Sequence, residues 1–152
     1  MIKMKETDIL IPIASDHGGF EMKEYLIKNL EKQGYKMVDM GTYSAESVDY
    51  PDFIHPLAKA VNTGKYLMGI IICGSGNGAQ MTANKYPGIR AALCWTTELA
   101  RLARLHNDAN ILSLPGRFVG NRKALEMVLL FLKTPFEGER HLERVRKISK
   151  KL

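Results

Sequence analysis

The segment Leu67-Met68-Gly69-Ile70-Ile71-Ile72-Cys73-Gly74-Ser75-Gly76-Asn77-Gly78 decides the fold. Leu67 to Ile72 is apolar and rich in β-branched side chains, with no polar alternation. That is the pattern of a parallel strand covered on both faces. It runs into a thiol, Cys73, and then into a loop with glycine at alternate positions. Glycine adds no side chain to a core and costs entropy to order. Loops of this kind bring backbone N–H groups against an anionic ligand. A nucleophile or base at the same edge points to a small-molecule enzyme.

Working outward, strand and helix patterns alternate on both sides of this segment. Ile9 to Ala14 reads as a strand, followed by a helix with Phe20, Leu26, Ile27 and Leu30 that stops at Gly34. Tyr35 to Met40 is a second strand. Asp52 is placed as the cap of a helix carrying Leu57, Ala58 and Val61, which ends at Gly64. Beyond the central segment come a helix over Ala79 to Lys85 and a strand over Arg90 to Cys94. Next is a helix capped by Thr96 or Thr97 that runs to His106, then a strand from Ala109 to Leu114. Helices over Asn121 to Lys133 and Gly138 to Lys150 complete the pattern. This is an α/β chain with a five-stranded parallel sheet between helical layers. Ligands in such folds bind at the carboxyl ends of the strands, and the chemistry-bearing residues are expected there.

The 152 residues suit one domain, taken as 1–152, and 45% hydrophobic with 25% charged is ordinary globular composition. No run approaches the roughly 18 apolar residues of a membrane span. Met1 to Asp8 carries no apolar core or cleavage site of a secretory signal. Two cysteines, Cys73 and Cys94, make no disulfide framework, so a reducing cytoplasm is expected. The net charge of +6 owes much to Arg140, Arg144, Arg146, Lys147, Lys150 and Lys151. That tail has no aromatic after Phe136 and no groove-reading motif, which argues against nucleic acid. A phosphorylated small molecule fits the basic excess better.

Four segments fall close to strand ends. Asp16-His17 beside Gly18-Gly19 can hold a sugar hydroxyl or offer a proton to a phosphate; Asp16 can equally be a helix cap. Cys73 can serve as a base, against the plainer reading of a buried inert thiol. Gly74-x-Gly76-x-x-Ala79 formally matches a dinucleotide fingerprint, but it follows the third strand and no acidic residue ends the next one. Cys94, with no glycines beside it, reads as core. His106, in Arg104-Leu105-His106-Asn107-Asp108, ends a helix whose dipole favours its protonated form; the alternative is a simple C-terminal cap. Arg117 follows the fifth strand. Arg140 and Arg144, four residues apart, share one helix face and suit a phosphate dianion, unless Glu139 and Glu143 pair with them.

Taken together, Asp16-His17-Gly18-Gly19-Phe20, Asp49-Tyr50-Pro51, Ile72 to Gly78, Ala83-Asn84-Lys85, Gly88-Ile89-Arg90, His106-Asn107-Asp108 and Glu137-Gly138-Glu139-Arg140-His141-x-x-Arg144-Val145 form a pattern. The chain thereby resembles the ribose-5-phosphate isomerase B family, which includes galactose-6-phosphate isomerase subunits, from about Ile9 to Lys150. The resemblance implies a Rossmann-like three-layer fold and an aldose–ketose isomerase of carbohydrate metabolism (the pentose phosphate pathway) with no metal or cofactor. It makes Cys73 the base that carries a proton through a cis-enediolate, Ser75 its assistant at the substrate oxygens, and Gly74, Gly76, Asn77 and Gly78 an anion hole. His106 would open the sugar ring with Asp16. His17, Arg117, Arg140 and Arg144 would hold the phosphate, and Tyr43 and Asn107 the sugar.

A second family branch uses a glutamate where this chain has Ala79, so the cysteine branch matches better. The resemblance also implies a homodimer or homotetramer with sites shared between subunits, the last helix packing at that interface. Several residues precede the family's usual start and have no assigned role. Two other readings stand beside the pentose phosphate: a six-carbon substrate such as allose or galactose 6-phosphate, or a sugar-phosphate-binding module without catalysis.

Overall fold

The computed structural model describes residues 4–150; Met1 to Lys3 of the N-terminal extension, and Lys151 of the basic tail with Leu152, lie outside the described residues. Five parallel strands form one sheet: β1 (Leu10–Ser15), β2 (Lys36–Asp39), β3 (Gly69–Cys73), β4 (Ala91–Leu93) and β5 (Ile111–Pro115). Their spatial order is β2-β1-β3-β5-β4. The helices are α1 (Phe20–Lys32), α2 (Tyr50–Asn62), α3 (Asn77–Ala83), α4 (Thr97–Asn107), α5 (Asn121–Lys133) and α6 (Arg140–Ile148).

Alternate strand residues feed two cores. Ile11, Ile13, Ile70, Ile72, Leu112 and Leu114 pack with α1, α4 and α5 through Leu26, Ala103 and Phe131, among others. Ala14, Ile71, Cys73 and Ile111 pack on the other face with Ile54, Leu57 and Ala58 of α2 and with Ala79 and Ala83 of α3. All five residues of β3 are buried, as its unbroken apolar run requires. These are the three expected layers. No helix of the described residues is long and apolar enough to cross a membrane.

Several boundaries differ from the sequence reading. α2 starts at Tyr50 with Asp49 at the cap position, because Pro51 fits the first helical turn, where its missing N–H costs nothing. α3 starts two residues early, at Asn77, directly after Gly76. α6 starts at Arg140 because Gly138 (φ 74°) and Glu139 (φ 52°) adopt left-handed backbone that a helix cannot include. Thr96 is the cap of α4, its side chain accepting from the Leu99 N–H at 3.1 Å.

The strand order reverses between β1 and β3, so the loops after them diverge and leave a crevice at their carboxyl ends. This crevice places the first half of the site.

Candidate active site

The loop after β1 and the loop after β3 touch. Asp16 N–H donates to the Ile72 carbonyl at 3.3 Å, and a Cβ on Gly18 would lie 3.1 Å from the Gly74 Cα. A side chain at Gly18 would push against the Gly74 backbone, so glycine suits that approach. Asp16 does cap the short helical turn His17–Gly19, its Oδ1 accepting from the Gly18 N–H at 2.9 Å. Its other carboxylate oxygen is not used by the cap. Nδ1 of His17 accepts from the Val48 N–H at 3.1 Å, which leaves Nε2 as the donor of a neutral ring. His17 and Arg117, with Gly18, Glu21, Ala45 and Asn121 among their neighbours, line a cavity of about 250 Å³.

Cys73 ends β3 and is 4% exposed. Its carbonyl accepts from Gly116 N–H at 2.9 Å, and the Gly74 carbonyl accepts from Arg117 N–H at 3.0 Å, so the Arg117 segment is tied to the glycine loop. The Arg117 guanidinium lies over Gly74, where an added Cβ would be 3.1 Å from Nη1. Gly76 turns the chain with φ 77°, and the buried Ser113 hydroxyl donates to its carbonyl at 2.8 Å. Asn77 N–H donates to Ser75 Oγ at 3.3 Å. Among the described residues, the N–H groups of Gly74, Ser75 and Gly76 donate to nothing. Unspent donors at the carboxyl end of a strand are what an anion needs. Gly78 lies under the Tyr50 ring. Tyr43 is exposed on the loop after β2, its hydroxyl donating to the Asp39 carbonyl at 3.2 Å.

His106, Asn107, Arg140 and Arg144 are elsewhere, which corrects the placement of all chemistry-bearing residues at one edge. α4 lies between two parallel strands and so runs antiparallel to them, delivering His106 and Asn107 to the amino edge of the sheet. There Asn110 accepts from Gly69 N–H at 2.9 Å, at the start of β3 rather than its end. The length of β5 alone puts about 13 Å between the two edges. α6 follows α4: Glu137 N–H donates to the Leu105 carbonyl at 3.0 Å, and the His141 ring stacks on His106 with centroids 4.3 Å apart. Arg140 and Arg144 are exposed there and form no ion pair among the described residues, so pairing with Glu139 and Glu143 is not observed. One chain therefore carries two incomplete sets: Asp16, His17, Tyr43, Cys73 to Gly78 and Arg117 at one edge, and His106, Asn107, Arg140 and Arg144 at the other.

The structure adds residues that sequence reasoning left without roles. Glu137 and His141, four apart, were visible inside a recognised motif and flank His106 at 3.7 Å and in stacking contact respectively. Burial pushes the His141 imidazole below its ordinary value, and the charges of His106 and Arg140 act in the same direction. Ser113, behind Gly76, carried no signal beyond being polar in a core strand. Cys94 is 2% exposed and burial pushes its thiol up to about 12, so the inert-core reading fits it.

Comparison with known proteins finds relatives over nearly the whole length. The sequence profile of the Ribose/Galactose Isomerase family matches residues 11–148. A probable ribose-5-phosphate isomerase B of Mycoplasma pneumoniae is 45% identical over 139 residues, covering 91% of each chain. The ribose-5-phosphate isomerase B structure from Clostridium thermocellum superposes with TM-score 0.90 at 50% identity, covering 93% of this chain and 95% of that one. The Mycoplasma genitalium enzyme, solved with bound ribulose-5-phosphate, superposes with TM-score 0.88 at 41% identity, covering 92% and 93%. The chain belongs to the Ribose/Galactose Isomerase family.

Proposed function

We propose that this chain, as one catalytic domain, interconverts ribose 5-phosphate and ribulose 5-phosphate by moving one proton between neighbouring carbons, with Cys73 as the base. The observation that carries this reading is the Cys73 thiol at the end of β3, joined to a loop whose Gly74, Ser75 and Gly76 N–H groups are unspent. As Cys73 takes the proton from one carbon, negative charge develops on the enediolate oxygens. Those N–H groups, with the Ser75 hydroxyl and the turn at Asn77 and Gly78, stabilise it. Removing one donor of an anion hole typically costs about 2.7–4 kcal/mol of transition-state stabilisation. The thiol then returns the proton to the adjacent carbon, while the hydroxyl proton of that first carbon passes, by way of the Ser75 hydroxyl, to the former carbonyl oxygen, which becomes the new hydroxyl. Substrate and product are isomers, so the reaction balances without a redox cofactor. The ribulose-5-phosphate bound by the Mycoplasma genitalium relative supports the five-carbon substrate.

The remaining roles require a second copy. His106 opens the sugar ring, Asn107 holds a hydroxyl, and Arg140 and Arg144 grip the phosphate with His17 and Arg117. His106 and Cys73 of one chain face opposite edges, so each complete site takes its base from one chain and its ring-opening histidine from another. A homodimer, or a pair of dimers, satisfies this with α6 at the shared boundary. Trp95 and Phe118, exposed and packed with centroids 5.2 Å apart near the carboxyl edge, offer apolar surface for that contact. Two buried free thiols fit a reducing cytoplasm.

Purified protein assayed with ribose 5-phosphate, allose 6-phosphate and galactose 6-phosphate tests the reading. The highest kcat/KM is expected for the pentose phosphate. A preference for a six-carbon phosphate would overturn the substrate, and no turnover of any of them would overturn the activity.

A further inference from the structure

At the junction of α4 with the start of α6, Oε2 of Glu137 lies 3.7 Å from Nε2 of His106 and 3.5 Å from Nε2 of His141. One ligand-capable atom from each of the three side chains lies within 4.8 Å of the other two. Two imidazoles and a carboxylate are the nitrogen and oxygen donors that zinc-class ions accept. With metal–ligand bonds of about 2.0–2.2 Å, neighbouring ligands of a tetrahedral ion stand about 3.3–3.6 Å apart. The two separations to Glu137 are already close to that length.

A second, independent feature points to a ligand. His141 is 6% exposed, and its Nε2 is buried without a hydrogen-bond partner. An orphaned nitrogen of this kind costs free energy unless something occupies it. Burial also holds the His141 imidazole below its ordinary value, which favours the neutral form that coordination requires. The rings lie 14° from parallel, so binding turns each imidazole about its side-chain torsions until its lone pair meets the ion. His106 and Glu137 keep 34% and 42% of their side chains exposed, which leaves a path for the ion and for water as a fourth ligand. Arg140 and Arg144 oppose a cation and set its affinity below that of a dedicated structural site.

We propose that His106, Glu137 and His141 form a three-ligand site for a zinc-class divalent cation. The site itself does not depend on any catalytic role for His106. Its consequence for catalysis rests on the ring-opening role given to His106: a coordinated imidazole cannot move a proton, so the filled site is an inhibited one.

The test is titration of the full chain, free of any histidine tag, with Co²⁺ followed by visible absorption and with Zn²⁺ followed by calorimetry. One ion per chain is expected, with Zn²⁺ displacing Co²⁺. Glu137→Gln and His141→Asn should each weaken binding at least about tenfold, the lower end of what even an outer-shell partner is worth. Cys73→Ser should bind as the parent does. If the buried His141 variant fails to fold, Glu137→Gln decides alone, because that side chain is partly exposed. Absence of saturable binding at millimolar ion overturns the site, as does binding that survives Glu137→Gln but disappears in Cys73→Ser. Zn²⁺ should also abolish isomerase turnover, and a chelator should restore it. Ion binding without inhibition would keep the site and overturn ring opening by His106.

Discussion

The Lys23 ammonium, on a side chain with no exposed surface, sits 2.9 Å from both carboxylate oxygens of Asp39. Asp39 ends β2 and also accepts the Gly41 N–H at 3.0 Å and, through its carbonyl, the Tyr43 hydroxyl at 3.2 Å. A buried charge in α1 thus anchors the loop that carries Tyr43. Removing one partner of a buried pair typically costs about 3–5 kcal/mol; the one-third exposure of Asp39, and the second partner that Lys23 keeps in Glu24 Oε1 at 2.8 Å, both reduce this. Asp39→Ala is therefore expected to destabilise the fold by about 1–2 kcal/mol, read as a lower urea midpoint. A midpoint unchanged from the parent would show that the pair holds nothing.

Cys73→Ala should lower turnover of ribose 5-phosphate at least about a hundredfold, the range for loss of a general base. The thiol is buried in the core, so its truncation leaves a one-atom gap and a modestly lower thermal midpoint, with the fold retained. Steady-state kinetics beside a melting curve separates the two effects; near-normal kcat would remove Cys73 from the mechanism.

Two dead variants should revive each other. Cys73→Ala and His106→Ala damage opposite edges of the sheet, so a mixed dimer contains one intact site and one doubly damaged site. After unfolding and refolding an equal mixture, about a quarter of the parent activity is expected from random pairing of a symmetric dimer. No recovery, with mixed dimers verified by mass, would place both residues in one chain's own site.

Arg144→Ala should raise KM for ribose 5-phosphate with kcat less affected, because a phosphate grip formed before the chemical step and kept through it contributes uniform binding. An unchanged KM would remove Arg144 from the phosphate site.

The buried His141 gives stability a pH signature. Its folded value is lowered from 6.5, first by burial and then by the charges of His106 and Arg140. The unfolded chain therefore binds the proton more readily than the folded one. As pH falls through 6.5 toward the lowered value, stability falls with it; above that window the group contributes no pH dependence. Urea midpoints measured across the window should drop more steeply for the parent than for His141→Asn. Parallel curves would assign the slope to other groups.

The sheet was legible because its strands are written as apolar runs bounded by glycine or polar residues, and each strand edge moved by only a residue or two. Helix starts were less legible. Asp49 and Asp52 are both plausible caps, and the choice turns on whether Pro51 lies inside the first turn. Glu139 suits the first turn of a helix by composition, yet it and Gly138 are excluded by their backbone angles. Half of the candidate site could be read from residues that directly follow strands. The other half was placed at the wrong edge, although the correction is a matter of direction: a helix joining two parallel strands must return the chain to their starting ends. Lys23, Ser113, Glu137 and His141 escaped because their meaning lies in neighbours far away in sequence or on the next turn of a helix.

The separation of His106 from Cys73 also bears on when the protein can work at all. If neither edge is sufficient, a lone chain has parts of a catalyst and no rate. Specific activity would then fall on dilution as subunits part, and recover with the kinetics of their re-association rather than of folding. Concentration itself would act as the on-switch, with no allosteric ligand needed.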